Sequence, residues 1–171
     1  MFTNKEIIEY HCPRWDELPD IELYMDQVLS VLERKLKIFA EPEEKIITST
    51  MINNYVKQKV IKPPLNKRYD RYHLAYFYVI CVLKRIFSVS EICVGIAKLH
   101  QTYRTAQGYD IFCDELEFAL RTVFSRESDN RPVPAEGTGE LIVRTAAMAF
   151  ANFMYTKYLV DKDSDNVESG V

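Results

Sequence analysis

Apolar residues recur at steps of three and four along most of the chain, and this spacing predicts a mainly helical protein. The clearest case begins at Asp20, where we predict a long helix with an inward face of Ile21, Met25, Val28, Leu32, Leu36 and Phe39. The same spacing predicts further helices at about 48–59, 70–83, 88–108, 110–125 and 140–160. The expected fold class is therefore all-α.

The starts of three predicted helices are marked by short polar residues. Thr48 and Asp70 can each accept a hydrogen bond from the first helical turn, so both are predicted N-caps. Ser88 and Glu91 have the spacing of a capping box. The run 74–83 is apolar on nearly every face, which predicts a central helix surrounded by other elements.

The segment that follows the predicted helix at 48–59 contains two prolines, and the region around it is rich in positive charge. Pro63 and Pro64 cannot continue a helix, so residues 60–69 are predicted to form a loop or a small hairpin. Residues 45–73 carry seven basic side chains and one acid, Asp70, for a local charge of +6 in a chain of net charge −3. A compact basic region in an otherwise acidic protein suits contacts with nucleic-acid phosphates.

The sequence lacks the residue patterns that would predict catalysis or export. We find no nucleophile beside a base, no metal-ligand spacing and no Gly-rich phosphate loop, so we expect neither an enzyme nor a bound metal or cofactor. The N-terminal residues lack a basic region followed by an apolar core, and no run is long enough to span a bilayer. We expect a cytoplasmic protein without membrane contact.

The stretch TSTMINNYVKQKVIKPP, which begins at Thr48, resembles the DNA-reading helix of the MerR family and the turn into its wing. Tyr55 stands where that family has an aromatic residue, and Val60 and Ile61 stand where it has an apolar pair. Pro63 or Pro64 corresponds to its wing-opening proline.

The resemblance continues through the next two predicted helix starts, so that it covers residues 48–92. Lys67-Arg68-Tyr69-Asp70 resembles the family's Arg-x-Tyr-Ser stretch, and Ser88-Val-Ser-Glu91-Ile92 resembles the capped start of a later helix. The chain departs from the family at Asn53, where an arginine is common, and at Lys59, which replaces a glycine. Its wing is also short, and the helix before the reading helix is longer than the family's first helix and is separated from it by a longer connection. Two further stretches, WDELPD at 15–20 and YMDQV at 24–28, carry a second resemblance. With them the chain is similar, over roughly its first hundred residues, to a bacterial family known only as domain of unknown function 1836.

The MerR resemblance implies a winged helix-turn-helix with a reading helix at about 49–59 and a basic wing at 60–71. Asn53 and Asn54 are candidates for base contacts, because an amide can bond an adenine edge at two points. The candidates for contacts with the phosphate backbone are Ser49, Thr50, Lys57, Lys59, Lys62, Lys67, Arg68 and Arg71.

The function expected from this resemblance is a transcriptional regulator of double-stranded DNA. We predict a DNA-binding part at 1–108, a helical dimerisation or sensing part at 109–162, and a disordered acidic tail at 163–171. A homodimer is expected because one short helix cannot specify an operator alone. A small-molecule effector could bind near the aromatic residues Phe112, Phe118, Phe150, Phe153 and Tyr155.

The alternative is a protein–protein interaction module built on a helix-turn-helix frame without DNA binding. The acidic remainder of the chain and the missing arginine at Asn53 favour it. The two hypotheses differ in where the basic side chains lie in the folded protein, because DNA binding requires them to converge on one surface.

Overall fold

The protein is a bundle of helices, as the sequence predicts. The computed structural model describes the backbone of residues 3–168 and the side chains of residues 3–162. The helices are α1 (Asn4–Ile8), α2 (Met25–Leu36), α3 (Ser49–Lys57), α4 (Arg71–Leu83), α5 (Val89–Leu99), α6 (Thr105–Ser125) and α7 (Gly139–Glu168). Single turns of 3-10 helix lie at Trp15–Glu17 and Lys37–Phe39. Within the described residues, β-structure is limited to two isolated bridges.

Helix α4 is the central element of the fold. Every residue from His73 to Leu83 is buried except Tyr76, which is half-buried. Helix α2 packs on α4, as do α5, α6 and α7, and α7 packs chiefly along α6. The buried core is continuous from Ile7 to Met154. Helix α6 runs without a break through position 108, so the predicted division of function there does not coincide with a break in the fold.

The predicted caps are confirmed by their hydrogen bonds. The hydroxyl of Thr48 accepts from the Met51 backbone N–H at 3.2 Å, and a carboxylate oxygen of Asp70 accepts from the His73 N–H at 3.1 Å. Ser88 forms the predicted reciprocal capping box. Each bond satisfies a donor that the first turn of a helix would otherwise leave unpaired.

The predicted start of the first long helix was wrong. Helix α2 begins at Met25, because Leu23 is held in extended backbone by two hydrogen bonds with Tyr69, at 2.9 and 2.8 Å. Ile21, which the periodicity placed on the inward face, is 68% exposed as a result. The remaining positions of that face follow the prediction, since Val28 and Leu32 are fully buried.

The boundary between α5 and α6 also differs from the prediction. Helix α5 ends at Leu99 and α6 begins at Thr105, so Gly108 lies inside α6 instead of ending α5. Gly108 is buried, and a Cβ there would lie 3.1 Å from the Leu99 side chain. The glycine therefore permits the close approach of two helices and does not mark a helix end.

The last helix continues beyond its predicted end near residue 160. Its backbone is helical as far as Glu168, and positions 169–171 lie outside the described residues. The predicted disordered tail at 163–171 therefore falls in part outside the described residues and stays a prediction. Among the helices described, none has the combination of length and hydropathy needed to cross a membrane.

Candidate nucleic-acid interface

Helix α3 presents a polar face to solvent and an apolar face to the core. Ile52 and Tyr55 are buried, because they lie on the face that packs toward the core. The exposed positions are Ser49, Thr50, Asn53, Asn54 and Lys57. The side-chain amides of Asn53 and Asn54 form no hydrogen bond with another described residue, so their donors and acceptors face solvent.

The end of α3 is closed by a left-handed residue that is not glycine. Lys59 has φ 58°, its N–H donates to the Val56 carbonyl at 3.1 Å, and the Val60 N–H donates to the Tyr55 carbonyl at 2.9 Å. These two bonds form a Schellman motif, in which glycine is the usual left-handed residue. Lys59 therefore adopts a left-handed backbone conformation that is unfavourable for a residue with a side chain, and its own side chain is exposed.

The predicted loop at 60–69 contains a tight two-residue hairpin turn. The Arg68 N–H donates to the Leu65 carbonyl at 2.9 Å, and the central residues Asn66 and Lys67 have φ of 51° and 62°. Two successive positive φ angles are characteristic of the type I′ turn, which matches the twist of paired strands. The turn exposes Lys67 and Arg68 at its tip, while Tyr69 is buried.

The hairpin is tied to α4 through a buried histidine. His73 is 2% exposed, its Nε2 lies 3.1 Å from the Lys62 carbonyl oxygen, and its Nδ1 lies 2.6 Å from Oδ1 of Asp70. Lys62 Nζ donates to the other oxygen of Asp70 at 2.8 Å and lies 4.4 Å above the Tyr72 ring. These contacts join the segment before the turn to the start of α4.

Helix α3 and the hairpin enclose a cleft between them. The cleft has a volume of about 460 Å³ and is lined by Met25, Asn53, Val56, Lys57, Pro64, Lys67 and Tyr69. Three of the candidate site residues, Asn53, Lys57 and Lys67, therefore meet at one concave surface although they come from two elements. The floor of the cleft is apolar, and the ends of the two lysines are exposed.

The cations of this surface differ in how far their charge is already neutralised. Arg71 is 19% exposed and lies 2.9 Å from Asp20 and 3.6 Å from Asp16, and its guanidinium is 5.7 Å from the Trp15 ring. Lys62 is paired with Asp70. Both side chains are bound within the protein and are therefore the candidates least available to a phosphate.

Four other cations have no acidic partner among the described residues. They are Lys57, Lys59, Lys67 and Arg68, and all four are exposed. The guanidinium of Arg68 contacts the uncharged side chain of Tyr24, through a hydrogen bond of 3.2 Å to its hydroxyl and a cation–π contact at 5.2 Å. This unpaired positive charge is what remains to attract an anionic partner.

Sequence reasoning missed the contribution of the segment that leads into α2 and of the first residue of that helix. Met25 lines the cleft, Tyr24 orients Arg68, and Asp16 and Asp20 neutralise Arg71. These pairs are separated by more than 40 positions in the chain, so no local pattern points to them. The segment WDELPD, which places three acids close to Trp15, was the only available signal.

Comparison with known proteins adds a family but no activity. A family model described as "Domain of unknown function (DUF1836)" matches residues 13–112, which include α2, α3, the hairpin, α4 and α5. No curated protein and no solved structure matches the chain significantly.

Proposed function

The chain belongs to the family described as Domain of unknown function (DUF1836), and because that description names no activity, we propose from the surface itself that the protein is a DNA-binding transcriptional regulator. In this proposal α3 is the reading helix of a MerR-like winged helix-turn-helix, and the segment 60–71, which contains the hairpin turn, is its basic wing. The order α2, α3, hairpin and α4 supports the assignment, because it is the element order that such a module requires.

The observation that carries the proposal is the convergence of polar and basic groups from two elements at one cleft. Asn53 and Lys57 reach it from α3, and Lys67 reaches it from the hairpin. A helix with free amides beside a loop with free cations can meet base edges and phosphates at the same time. Surface lysines that serve only solubility have no reason to share a cleft with a helix face.

The dimensions of α3 fit a DNA groove. A helix with its side chains is about 10 to 12 Å across, and the major groove is about 12 Å wide. The nine residues of α3 extend about 14 Å, which is long enough to present several side chains to the groove. With Asn53 and Asn54 toward base edges, Ser49 and Thr50 lie at the helix N-terminus, where hydroxyl and backbone N–H groups can bind a phosphate. The hairpin tip then lies over the neighbouring backbone, with Lys67 and Arg68 exposed.

One reading helix of this length contacts only a few base pairs, so we propose a homodimer that binds two half-sites. The alanine-rich part of α7 contributes less to an interface than its composition suggests, because Ala147 and Ala151 are fully buried within the chain.

A second candidate function is binding of another protein by the same face. Three large hydrophobic side chains near the hairpin are exposed: Leu65 by 70%, Ile21 by 68% and Tyr24 by 51%. Exposed apolar groups of this kind are typical of protein contacts and have no role against phosphates. The neutralised Arg71 also favours this alternative.

The test is binding of the purified protein to mixed genomic DNA fragments at about 50 and 200 mM salt. The variant is the double substitution Lys67→Gly and Arg68→Gln, which removes two charges and keeps a residue suited to positive φ at position 67. The matched control is Lys37→Ala with Lys98→Ala, since both lysines are exposed and lie outside the cleft.

If the tip binds phosphates, the variant weakens binding, and the slope of log K against log salt falls by about 1.8, or 0.9 for each lost contact. The control keeps the slope of the original protein. Binding that is absent at 50 mM salt, or equally affected in both double variants, contradicts the proposal and favours a protein partner.

A further inference from the structure

A second cavity lies among α4, α5, α6 and α7. Its volume is about 490 Å³, within the range of about 300 to 1,000 Å³ that small-molecule sites occupy. All four helices contribute side chains to the wall, including Val79, Ile96, Phe112 and Ile142. Of the five aromatic residues that the sequence suggested for an effector, Phe112 alone lines it.

Several small residues stand in the wall of the cavity, where the helices face one another. Gly95, Gly108, Ala75 and Ala146 all lie in its wall. A bulky side chain at Ala146 would occupy space that is now empty. The wall therefore contains a position at which the cavity can be filled by a single substitution.

The polar groups of the wall are few and uncharged, with one exception that is already engaged. The wall contains no lysine and no arginine. Its one acid, Glu91, accepts hydrogen bonds from the Ser88 backbone N–H at 2.8 Å and the Ser88 hydroxyl at 2.7 Å. Burial lowers the pKa of His100, which favours the neutral imidazole, and burial raises the pKa of Tyr76, which keeps its hydroxyl protonated.

The polar groups of the cavity wall favour a ligand without charge. A carboxylate or phosphate in the cavity would lose its hydration without a cation to replace it, and this strongly disfavours its binding. A neutral apolar molecule loses nothing comparable and gains from the transfer of its surface out of water. The rings of Tyr76 and His100, with centroids 6.2 Å apart, offer one edge at which a neutral ligand can form hydrogen bonds.

An extended peptide from another protein is unsuitable as an occupant, because its backbone N–H and carbonyl groups would find too few partners on an apolar wall.

We propose that this cavity binds an uncharged, predominantly apolar small molecule whose single polar group meets Tyr76 and His100. This proposal does not depend on DNA binding, because its test measures the binding of a ligand to the cavity directly. Helix α4 connects the two regions physically: its first turn holds the hairpin through His73, and its later turns wall the cavity with Val79 and Leu83.

The experiment measures binding of the neutral fluorophore N-phenyl-1-naphthylamine to the full chain, followed by its displacement with 1-decanol or decanoate. The two competitors have the same chain length and differ in charge. We expect saturable fluorescence with one site per chain, and displacement by decanol at a concentration at least tenfold lower than that of decanoate. Equal displacement by decanoate would overturn the inference of a neutral ligand.

The variants Ala146→Phe on α7 and Ile96→Trp on α5 place bulk in the cavity from two different helices. Ala97→Phe is the control, because Ala97 is exposed on α5 and does not line the cavity. Each filled variant that retains its helical circular dichroism should bind the fluorophore at least tenfold more weakly, while the control stays within twofold. Unchanged binding in folded Ala146→Phe or Ile96→Trp places the fluorophore elsewhere and overturns the proposal.

Discussion

The carboxylate of Asp70 lies 2.6 Å from Nδ1 of the buried His73, so the cap of α4 and the anchor of the hairpin are the same pair of residues. Partial burial raises the pKa of the Asp70 carboxyl, but hydrogen bonds from Lys62 and from the backbone and side chain of His73 outweigh it. The pKa of Asp70 is therefore lowered from its usual 3.8.

This lowered pKa predicts a specific dependence of stability on pH. The stabilisation from ionised Asp70 is complete at pH values above about 5 and is lost as pH falls through 4 toward the folded-state pKa. Asp70→Asn keeps a residue able to cap α4 but removes the ionisable group. We expect a smaller loss of stability between pH 5 and 3 in this variant than in the original protein, measured by urea unfolding.

The control for that experiment is Asp114→Asn, which removes an exposed carboxylate far from the hairpin. If the stability of Asp70→Asn fell between pH 5 and 3 as steeply as that of Asp114→Asn, this acid dependence would not come from the hairpin anchor.

The left-handed lysine at the end of α3 predicts a stabilising substitution. Lys59→Gly relieves a backbone conformation that costs a side-chain-bearing residue about 1 kcal/mol, and we expect stability to rise by about 0.5 to 1 kcal/mol. Lys57→Gly removes the same charge from a helical position and should lower stability by about as much. Urea midpoints distinguish the two variants, and destabilisation by both would contradict the prediction.

The close approach of Gly139 to α5 predicts a severe effect from one added methyl group. A Cβ at Gly139 would lie 2.4 Å from the Cα of Leu99, so the backbone of one helix must move. We expect Gly139→Ala to cost about 1 to 3 kcal/mol. Gly95→Ala is the matched comparison, because its Cβ would meet only the Ile142 side chain, at 3.3 Å. Thermal unfolding should show a lower Tm for the first variant and little change for the second.

The N-terminal segment is held to α6 by Glu117. Its carboxylate, 14% exposed, accepts from Arg14 Nη1 and from the Cys12 backbone N–H, each at 2.7 Å. Glu117→Ala leaves the Cys12 N–H without its acceptor and removes one carboxylate partner of Arg14, which should cost about 2 to 3 kcal/mol. Asp114→Ala removes a second partner of Arg14 that is 68% exposed, and we expect a loss below about 1 kcal/mol. Equal losses in urea unfolding would contradict this assignment.

The sequence by itself determined the elements whose causes are local. Thr48, Asp70 and Ser88 begin helices because each side chain bonds a backbone N–H three residues away. The apolar run 74–83 forms the buried centre, because a helix without a polar face must be covered on all sides. The exposed face of α3 also follows from a local pattern, because Asn53 lies on the side of the helix away from the apolar residues Ile52 and Tyr55.

The tertiary structure decided what depends on distant partners. Leu23 pairs with Tyr69 across 46 positions, and this pairing delays the start of α2 and brings Met25 to the cleft. Salt bridges to acids far along the chain decide that Arg71 is neutralised while Lys67 stays free. The apolar cavity arises only when four helices meet, because its emptiness is a property of their packing and of no single segment.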